Sequence, residues 1–173
     1  MRESQFIMCR KHGEGVYVLD TSSFICHPGP LEGFTVSEVL EEAKSLSARM
    51  RSSLEHVKIL TPSSASIEEV SKLAGRMGEK LSKTDLKILA LALDLEREGK
   101  NPVILTDDYS IQNLAGMLGM KFSSLNTPGI KRILRWRLVC PSCGKSYPSS
   151  ERECRICGSP LVRKPGIYRP KRV

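Results

Sequence analysis

The chain has 173 residues, of which 40% are hydrophobic, so it is long enough for one medium domain and a small module and too apolar to be disordered. Its formal net charge of +8 is uneven: residues 1–129 hold 15 Lys and Arg against 17 Asp and Glu, whereas residues 130–173 hold 12 against 2. The basic C-terminal part predicts an anionic partner, most often nucleic acid, with a solvated basic tail as the alternative.

We expect neither a membrane segment nor a secretion signal in this sequence. No apolar run reaches the roughly 20 residues that a bilayer span requires. Residues 1–15 carry charges throughout and lack an apolar core, so we expect no signal peptide. We therefore expect a cytoplasmic protein with reduced cysteines, in which paired CxxC motifs indicate metal ligands rather than disulfides.

Predicted strands and helices alternate through the first 129 residues, a pattern that indicates an α/β fold with a parallel sheet between helices. In chain order, the first half contains a strand at 16–20, a turn or short helix and then a loop at 21–33, a helix at 35–52 and a strand at 57–60. The second half contains helices capped by Ser66 and Ser82, at 67–78 and 83–98, then a strand at 102–106, a helix at 111–118 and a strand at 120–125.

The C-terminal part contains two matching cysteine motifs with 10 residues between them. Their cysteines are Cys140, Cys143, Cys154 and Cys157. Each CxxC places two thiolates on one tight turn, and the glycine after each motif lets backbone amides turn toward the sulfur atoms. Four thiolates suit a structural zinc ion, with a rubredoxin-like iron site as the alternative. Cys9 and Cys26 have no second motif and are interpreted as ordinary thiols.

We divide the chain at the turn formed by residues 127–129. Residues 1–129 are the predicted α/β domain, and residues 130–139 are a basic linker, either extended or in a short helix. Residues 140–162 are the zinc ribbon, and residues 163–173 are a basic tail.

Acidic residues lie where the predicted strands end. Asp20 ends the first strand, and Asp107 and Asp108 follow the third. Parallel sheets bind ligands at the carboxyl ends of their strands. The neighbouring helices add further acids, namely Glu38, Glu41, Glu42 and Asp85. Carboxylates that converge repel one another unless a cation such as Mg²⁺ or Mn²⁺ lies between them.

Each acid also has a purely structural interpretation. Asp85 is placed to complete a capping box with Ser82. Asp107 and Asp108 are typical turn residues, and Glu38 and Glu41 can be solvated. Spacing alone therefore does not decide whether these acids form a metal site.

Taken in order, the motifs of the α/β domain resemble those of PIN-domain nucleases. They are VLDTSSFI at 18–25, TVSEVLEEAK at 35–44, LSKTDLKILALAL at 81–93 and VILTDDYSIQNLAGMLG at 103–119. With the cysteine motifs behind them, the chain is similar to the archaeal NIN-one-binding proteins over about residues 16–162. That resemblance implies an endonuclease that cuts precursor small-subunit rRNA at its 3′ end in a pre-ribosomal particle, with a KH-domain assembly factor as a further partner.

The resemblance also implies roles for individual acids. The residues that match the PIN acids, and would bind Mg²⁺ or Mn²⁺, are Asp20, Glu42, Asp85 and Asp108. Asp107 would assist, and Glu38 is a substitute for Glu42 one helical turn away. Metal-activated water would attack the phosphodiester in line, with Thr106 or Ser22 holding a metal-bound water or a phosphate.

Basic residues around the ribbon are candidates to hold the RNA backbone. They are Lys131, Arg132, Arg135, Arg137, Arg152, Arg155, Arg163 and Lys164. Trp136 and Tyr147 are candidates to stack on unpaired bases, with packing between domains as the alternative for Trp136.

Three other functions compete with the maturation nuclease. A non-catalytic RNA-binding assembly factor is disfavoured because all four acid positions are filled. A toxin-type PIN nuclease is disfavoured by the ribbon, and a transcription-type zinc ribbon would leave the acids unexplained.

Overall fold

A computed structural model describes residues 15–26, 31–43, 56–147 and 151–168. Several expectations fall outside these ranges: the charged N-terminal segment with Cys9, the second half of the helix expected at 35–52, and the last five residues of the basic tail. No helix in the described ranges is long and apolar enough to cross a membrane.

A five-stranded parallel sheet forms the centre of the first domain, which confirms the predicted α/β class. Its strands are β1 Tyr17–Leu19, β2 Glu32–Thr35, β3 His56–Ile59, β4 Val103–Leu105 and β5 Lys121–Ser123. Their order across the sheet is β3-β2-β1-β4-β5. Because β1 and β4 are adjacent and in register, their carboxyl ends, with the acids that follow them, meet at one edge.

Helices pack against this sheet and complete its core. They are α1 Thr21–Cys26, α2 Ser37–Ala43, α3 Ser64–Met77, α4 Lys83–Arg97 and α5 Tyr109–Met117. The Leu- and Ala-rich α4 is the most buried, and Ile88, Leu89 and Ala90 are all fully inaccessible. As predicted, Ser82 caps α4 in a reciprocal box with Asp85.

Two expectations about local structure are wrong. The predicted loop over 21–33 runs into strand β2, which lies between β1 and β3. Gly33 weakens the strand pattern, yet β2 requires it, because a Cβ there would lie 2.6 Å from the carbonyl oxygen of Tyr17. The cap of α3 is Ser63 rather than Ser66, whose hydroxyl instead donates to Asp94 at 2.6 Å.

The cysteine motifs lie in turns between the strands of a second, three-stranded antiparallel sheet. Its strands are β6 Leu134–Val139, β7 Ser146–Tyr147 and β8 Val162–Ile167, in the order β7-β6-β8. The segment expected to be a linker therefore contains β6, in the extended one of its two predicted conformations. The expected tail contains most of β8. The boundaries of the functional domains stay a prediction.

Candidate active site and metal centre

Asp20 lies in a polar cluster at the carboxyl edge of the parallel sheet. It directly follows β1 and is only 6% exposed. Its Oδ2 accepts hydrogen bonds from Thr106 Oγ1 at 2.8 Å and Ser22 Oγ at 3.0 Å. Thr106 follows β4, so this contact joins the ends of the two central strands.

The environment of Asp20 disfavours its negative charge. Burial raises the pKa of Asp20 above its ordinary value, and hydrogen bonds from Thr106, Thr21 and Ser22 oppose that rise. The negative charge of Asp85 adds to the rise in the pKa of Asp20. A divalent cation would relieve both effects, because it compensates the buried carboxylate and the repulsion from its neighbour. The residues present therefore fit a divalent metal ion.

The Glu42 side chain connects helices α1 and α4 at this edge of the sheet. Its Oε2 accepts a hydrogen bond from Thr21 Oγ1 at 2.8 Å, and its Oε1 accepts one from Thr84 Oγ1 at 2.6 Å. Thr21 follows Asp20 and Thr84 precedes Asp85, so Glu42 lies beside both acids in the fold.

Glu38 makes a different contact, although it is one turn from Glu42 on α2. It forms an ion pair with Lys87 of α4. The hydrogen bond from Lys87 lowers the pKa of Glu38 below its ordinary value.

Asp85 and Asp108 both stabilise the first turn of a helix: Asp85 completes the capping box of α4, and Asp108 is the cap of α5. The Asp85 carboxylate accepts a hydrogen bond from the Ser82 amide at 2.9 Å, as its structural interpretation predicted. Asp108 Oδ1 accepts one from the Ser110 amide at 2.6 Å at the start of α5. A carboxylate offers about four acceptor positions, so one such bond leaves capacity for a metal ion.

The Asp107 carboxylate holds the segment after β5. It accepts hydrogen bonds from the amides of Leu125 at 2.8 Å, Asn126 at 3.1 Å and Thr127 at 3.3 Å. Burial raises the pKa of Asp107, but these hydrogen bonds outweigh it and hold the pKa below the ordinary value. Asp107 is thus fixed to a loop, while Asp108 caps α5.

The four cysteines form a tight cluster at one end of the antiparallel sheet. Their Sγ atoms all lie within 4.8 Å of one another, with 3.4 Å between Cys140 and Cys157 and 3.5 Å between Cys143 and Cys154. Sulfur atoms around tetrahedral zinc are roughly 3.8 Å apart, given Zn–S bonds of about 2.3 Å. The cluster therefore fits zinc, and four protein ligands would leave no open position on the ion.

The two cysteine turns repeat the same backbone bonds. Gly144 N donates to Cys140 O at 2.9 Å, and Gly158 N donates to Cys154 O at 2.9 Å. Both glycines have φ near +70°, at 72° and 71°, a conformation that glycine adopts without steric cost. These are the turns that the glycines of the two motifs predicted.

The acids are spread more widely than the cysteines. In the described part of the chain, no three acidic side chains approach one another as closely as the four thiols do.

Tyr147 lies against the cysteine cluster, not on an open surface. Its hydroxyl is 3.1 Å from Cys154 Sγ. This hydrogen bond is the largest of several causes that lower the pKa of Cys154 to about 6, and the largest that raise the pKa of Tyr147 to about 12. Tyr147 thereby stabilises the thiolate that a metal ion requires.

The basic candidates divide between two faces of the antiparallel sheet. Side chains alternate along a strand, so Arg135 and Arg137 share the face opposite Trp136. Lys164 of β8 pairs with Arg137, and all three basic side chains are exposed. Arg163 lies on the Trp136 face, 3.9 Å above its ring.

The other basic candidates are exposed, and one of them is paired. Lys131, Arg132 and Arg152 are solvent-accessible. Arg155 is exposed as well and forms an ion pair with Glu151.

Sequence patterns did not identify several polar residues of the site. Thr21 and Thr84 hold Glu42, and their only sequence signal is that each adjoins an acid of the cluster. Gln112 is fully buried and donates to Thr106 O at 2.9 Å. A Gln on the buried side of an apolar helix is the signal that could have indicated it.

Comparison with known proteins agrees with this geometry. A family model described as "PIN domain of ribonuclease" matches residues 17–95. The Endoribonuclease Nob1 of Methanocaldococcus jannaschii is 37% identical over 157 residues, covering 86% of this chain and 77% of that protein. The Endoribonuclease Nob1 of Methanothermobacter thermautotrophicus is 39% identical over 158 residues, covering 85% and 91%. The Ribonuclease VapC1 of Thermoplasma acidophilum is 34% identical over 155 residues, covering 86% and 77%.

The parallel sheet, the acids at its edge and the matching family model define a PIN-domain ribonuclease. Four archaeal proteins named Endoribonuclease Nob1 match at 35–39% identity over most of the chain. The chain belongs to this archaeal Nob1 family of endoribonucleases, which confirms the resemblance seen in the sequence motifs.

Proposed function

We propose that the protein is a metal-dependent endoribonuclease that matures the 3′ end of precursor small-subunit rRNA within a pre-ribosomal particle. The observation that carries this proposal is the buried Asp20, whose pKa is raised by burial and by the nearby Asp85, in a chain of the Nob1 family. A KH-domain assembly factor is the protein partner that the family resemblance suggests.

Four acids would hold the catalytic ion, namely Asp20, Glu42, Asp85 and Asp108. When bound, Mg²⁺ or Mn²⁺ supplies a water of lowered pKa and compensates the charge that develops on the phosphate. Glu42 is favoured over Glu38, because Thr21 and Thr84 fix it beside Asp20 and Asp85, whereas Glu38 is neutralised by Lys87.

The hydroxyl groups of the cluster orient these acids. Thr106 and Ser22 both donate to Oδ2 of Asp20, which fixes the orientation of this carboxylate. The Asp107 amide in turn donates to Ser22 Oγ at 3.2 Å, which fixes that hydroxyl. We assign Asp107 a structural role, because its carboxylate is already occupied by the loop after β5.

The exposed face of the antiparallel sheet is the surface that we propose for RNA. Arg135, Arg137 and Lys164 form a basic strip without acidic neighbours on the paired positions of β6 and β8. Contacts with phosphates give affinity that depends on salt and carry little sequence information. Zinc would hold the shape of this surface and take no part in the chemistry.

Cleavage of a precursor rRNA fragment that spans the small-subunit 3′ end tests this proposal. We expect Mn²⁺-dependent cleavage by the wild type and a loss of at least about a hundredfold in Asp20→Asn and Asp108→Asn. Glu96→Gln, which removes an exposed acid of α4 far along the helix from Asp85, is the matched control and should cleave like the wild type.

The same assay separates the nuclease from a non-catalytic assembly factor. RNA binding without cleavage, or equal cleavage by all four proteins, would contradict the catalytic assignment.

A further inference from the structure

The two sheets meet at a compact polar contact that the proposed chemistry does not use. We call it the interdomain joint and define it by four side chains, namely Glu79, Asn113, Trp136 and Arg163. Glu79 and Asn113 belong to the nuclease domain, at the end of α3 and within α5. Trp136 and Arg163 belong to the paired strands β6 and β8.

The side-chain amide of Asn113 makes the two hydrogen bonds to β6 that the backbone of a neighbouring strand would make. Its Nδ2 donates to Leu134 O at 2.7 Å, and its Oδ1 accepts from Leu134 N at 2.7 Å. The side chain is 3% exposed, so both bonds are shielded from water. A buried amide that satisfies both backbone groups of one residue fixes the start of β6 in position and direction.

Glu79 gathers donors from both domains. Its Oε1 accepts from Asn113 Nδ2 at 2.7 Å and from Trp136 Nε1 at 3.0 Å. Arg163 lies 3.4 Å from Oε2, and the Glu79 side chain is only 5% exposed. A carboxylate this buried is costly without its donors, so removal of one donor from the intact contact would leave its charge poorly compensated.

The backbone packing at the joint is equally close. Arg163 donates to Gly78 O at 2.7 Å while its guanidinium lies over the Trp136 ring. A Cβ at Gly78 would lie 2.8 Å from Trp136 O, so the end of α3 and strand β6 touch through their backbones.

Hydrogen bonds from α5 connect the interdomain joint with the candidate active site. Gln112, next to Asn113, accepts from Ile130 N at 2.9 Å and donates to Thr106 O at 2.9 Å. The Thr106 hydroxyl binds Asp20. The segment that leads to the antiparallel sheet is therefore tied to the residue that orients the first acid.

We propose that Glu79 and Asn113 are positioning residues, which hold the basic face of β6 and β8 at one place relative to the acids. RNA bound by Arg135, Arg137 and Lys164 then enters the acidic cluster in a fixed register, which sets where it is cut. This inference rests on the proposed function for its consequence, but the rigidity of the joint can be tested without RNA.

The direct test is ¹⁵N relaxation of the zinc-loaded full chain. In the wild type we expect amides of the parallel and antiparallel sheets to tumble with one correlation time, and in Glu79→Ala with two. Glu79→Gln keeps an oxygen that accepts from Trp136 and Asn113. The difference between the correlation times of its two sheets should therefore lie between those of the wild type and Glu79→Ala. Glu69→Ala is the matched control on α3, because it removes an ion pair with Arg97 inside the nuclease domain. Two correlation times in the wild type would overturn the proposal.

The functional test compares two RNAs at equal zinc content. For a precursor fragment long enough to reach the basic face, we expect Glu79→Ala to raise KM roughly tenfold and to spread the cut over neighbouring positions, since a loosened link lowers effective concentration. For a short unstructured RNA, kcat and KM should be unchanged. Equal losses on both RNAs, or no loss on either, would overturn the positioning role. Absence of cleavage by the wild type would instead contradict the proposed function and leave the relaxation result as the test of the joint.

Discussion

Thr106 Oγ1 lies 2.8 Å from Asp20 Oδ2 and 3.0 Å from the amide nitrogen of Asp108. One hydroxyl therefore connects the acid after β1 with the acid after β4. Because it accepts from the Asp108 amide, its own proton is directed at Asp20. This arrangement makes the ionisation of Asp20 sensitive to a residue that would not itself bind the metal ion.

Thr106→Val should shift the pH dependence of cleavage. Asp20 must lose its proton to bind a cation, and the Thr106 hydrogen bond favours the ionised form against burial. Its loss raises the pKa of Asp20 further, so the acidic limb of the pH–rate profile should move to higher pH. Single-turnover rates in Mn²⁺ measure this, with Thr61→Val, at an exposed position, as the control. An unmoved acidic limb would contradict the role of the hydroxyl.

Asp20→Asn should stabilise the protein in the absence of divalent ions. The folded-state pKa of Asp20 is raised, so its charge costs free energy above that pKa, and the cost disappears as pH falls through it. The neutral amide avoids this cost at pH 7. We expect the zinc-loaded variant to have a higher Tm than the zinc-loaded wild type without added Mg²⁺ or Mn²⁺, whereas Mn²⁺ should raise the Tm of the wild type alone. Equal Mn²⁺ responses would exclude Asp20 as a ligand.

Asp107→Asn and Asp108→Asn should separate stability from catalysis. The Asp107 pKa is lowered, so its hydrogen bonds stabilise the fold above the ordinary value of 3.8, and this contribution is lost as pH falls through the folded pKa. Asp107→Asn should cost about 1–3 kcal/mol at pH 7. Asn is a good helix cap, so Asp108→Asn should keep stability and lose cleavage. Urea unfolding and the cleavage assay together check both results.

Zinc should be needed by the antiparallel sheet and not by the nuclease domain. Tyr147→Phe removes the hydrogen bond to Cys154, and we expect it to lower zinc affinity roughly tenfold. Competition with a chromophoric chelator measures the affinity, and circular dichroism after metal removal should show the parallel sheet retained. Tyr17→Phe in the other sheet is the matched control. Unchanged zinc affinity in Tyr147→Phe would show that the hydroxyl does not support the site.

Charge reversal should show whether the face with Arg135 and Arg137 binds RNA. Arg135→Glu and Arg137→Glu should each weaken RNA binding and reduce the slope of log affinity against log salt by about 1. Arg76→Glu, an exposed position on α3, should leave the slope unchanged. Filter binding across a salt series measures both quantities, and identical slopes for all variants would rule out this face as the RNA surface.

The amino-acid sequence by itself determined the features that depend on local chemistry. Two CxxC motifs, each followed by glycine, predict the cysteine cluster because four thiolates and two tight turns need little else. The Ser82 cap of α4 was predictable for the same reason. The alternation of strands and helices predicted the parallel sheet, since each element carries its own periodicity. The ordered motifs indicated the nuclease family before any contact was known.

The tertiary structure alone decided which groups meet. Strand β2 escaped prediction because Gly33 serves a close approach to Tyr17 that no local pattern reveals. The sequence motifs favoured Glu42 and left Glu38 as a substitute, and the fold separates them further, because Lys87 neutralises Glu38 while Thr21 and Thr84 hold Glu42. No sequence pattern indicated that Glu79 lies between the two sheets, because its donors come from residues more than 30 positions away. Burial and long-range hydrogen bonds belong to the folded chain, and they determine which of the residues named from the sequence lie in contact.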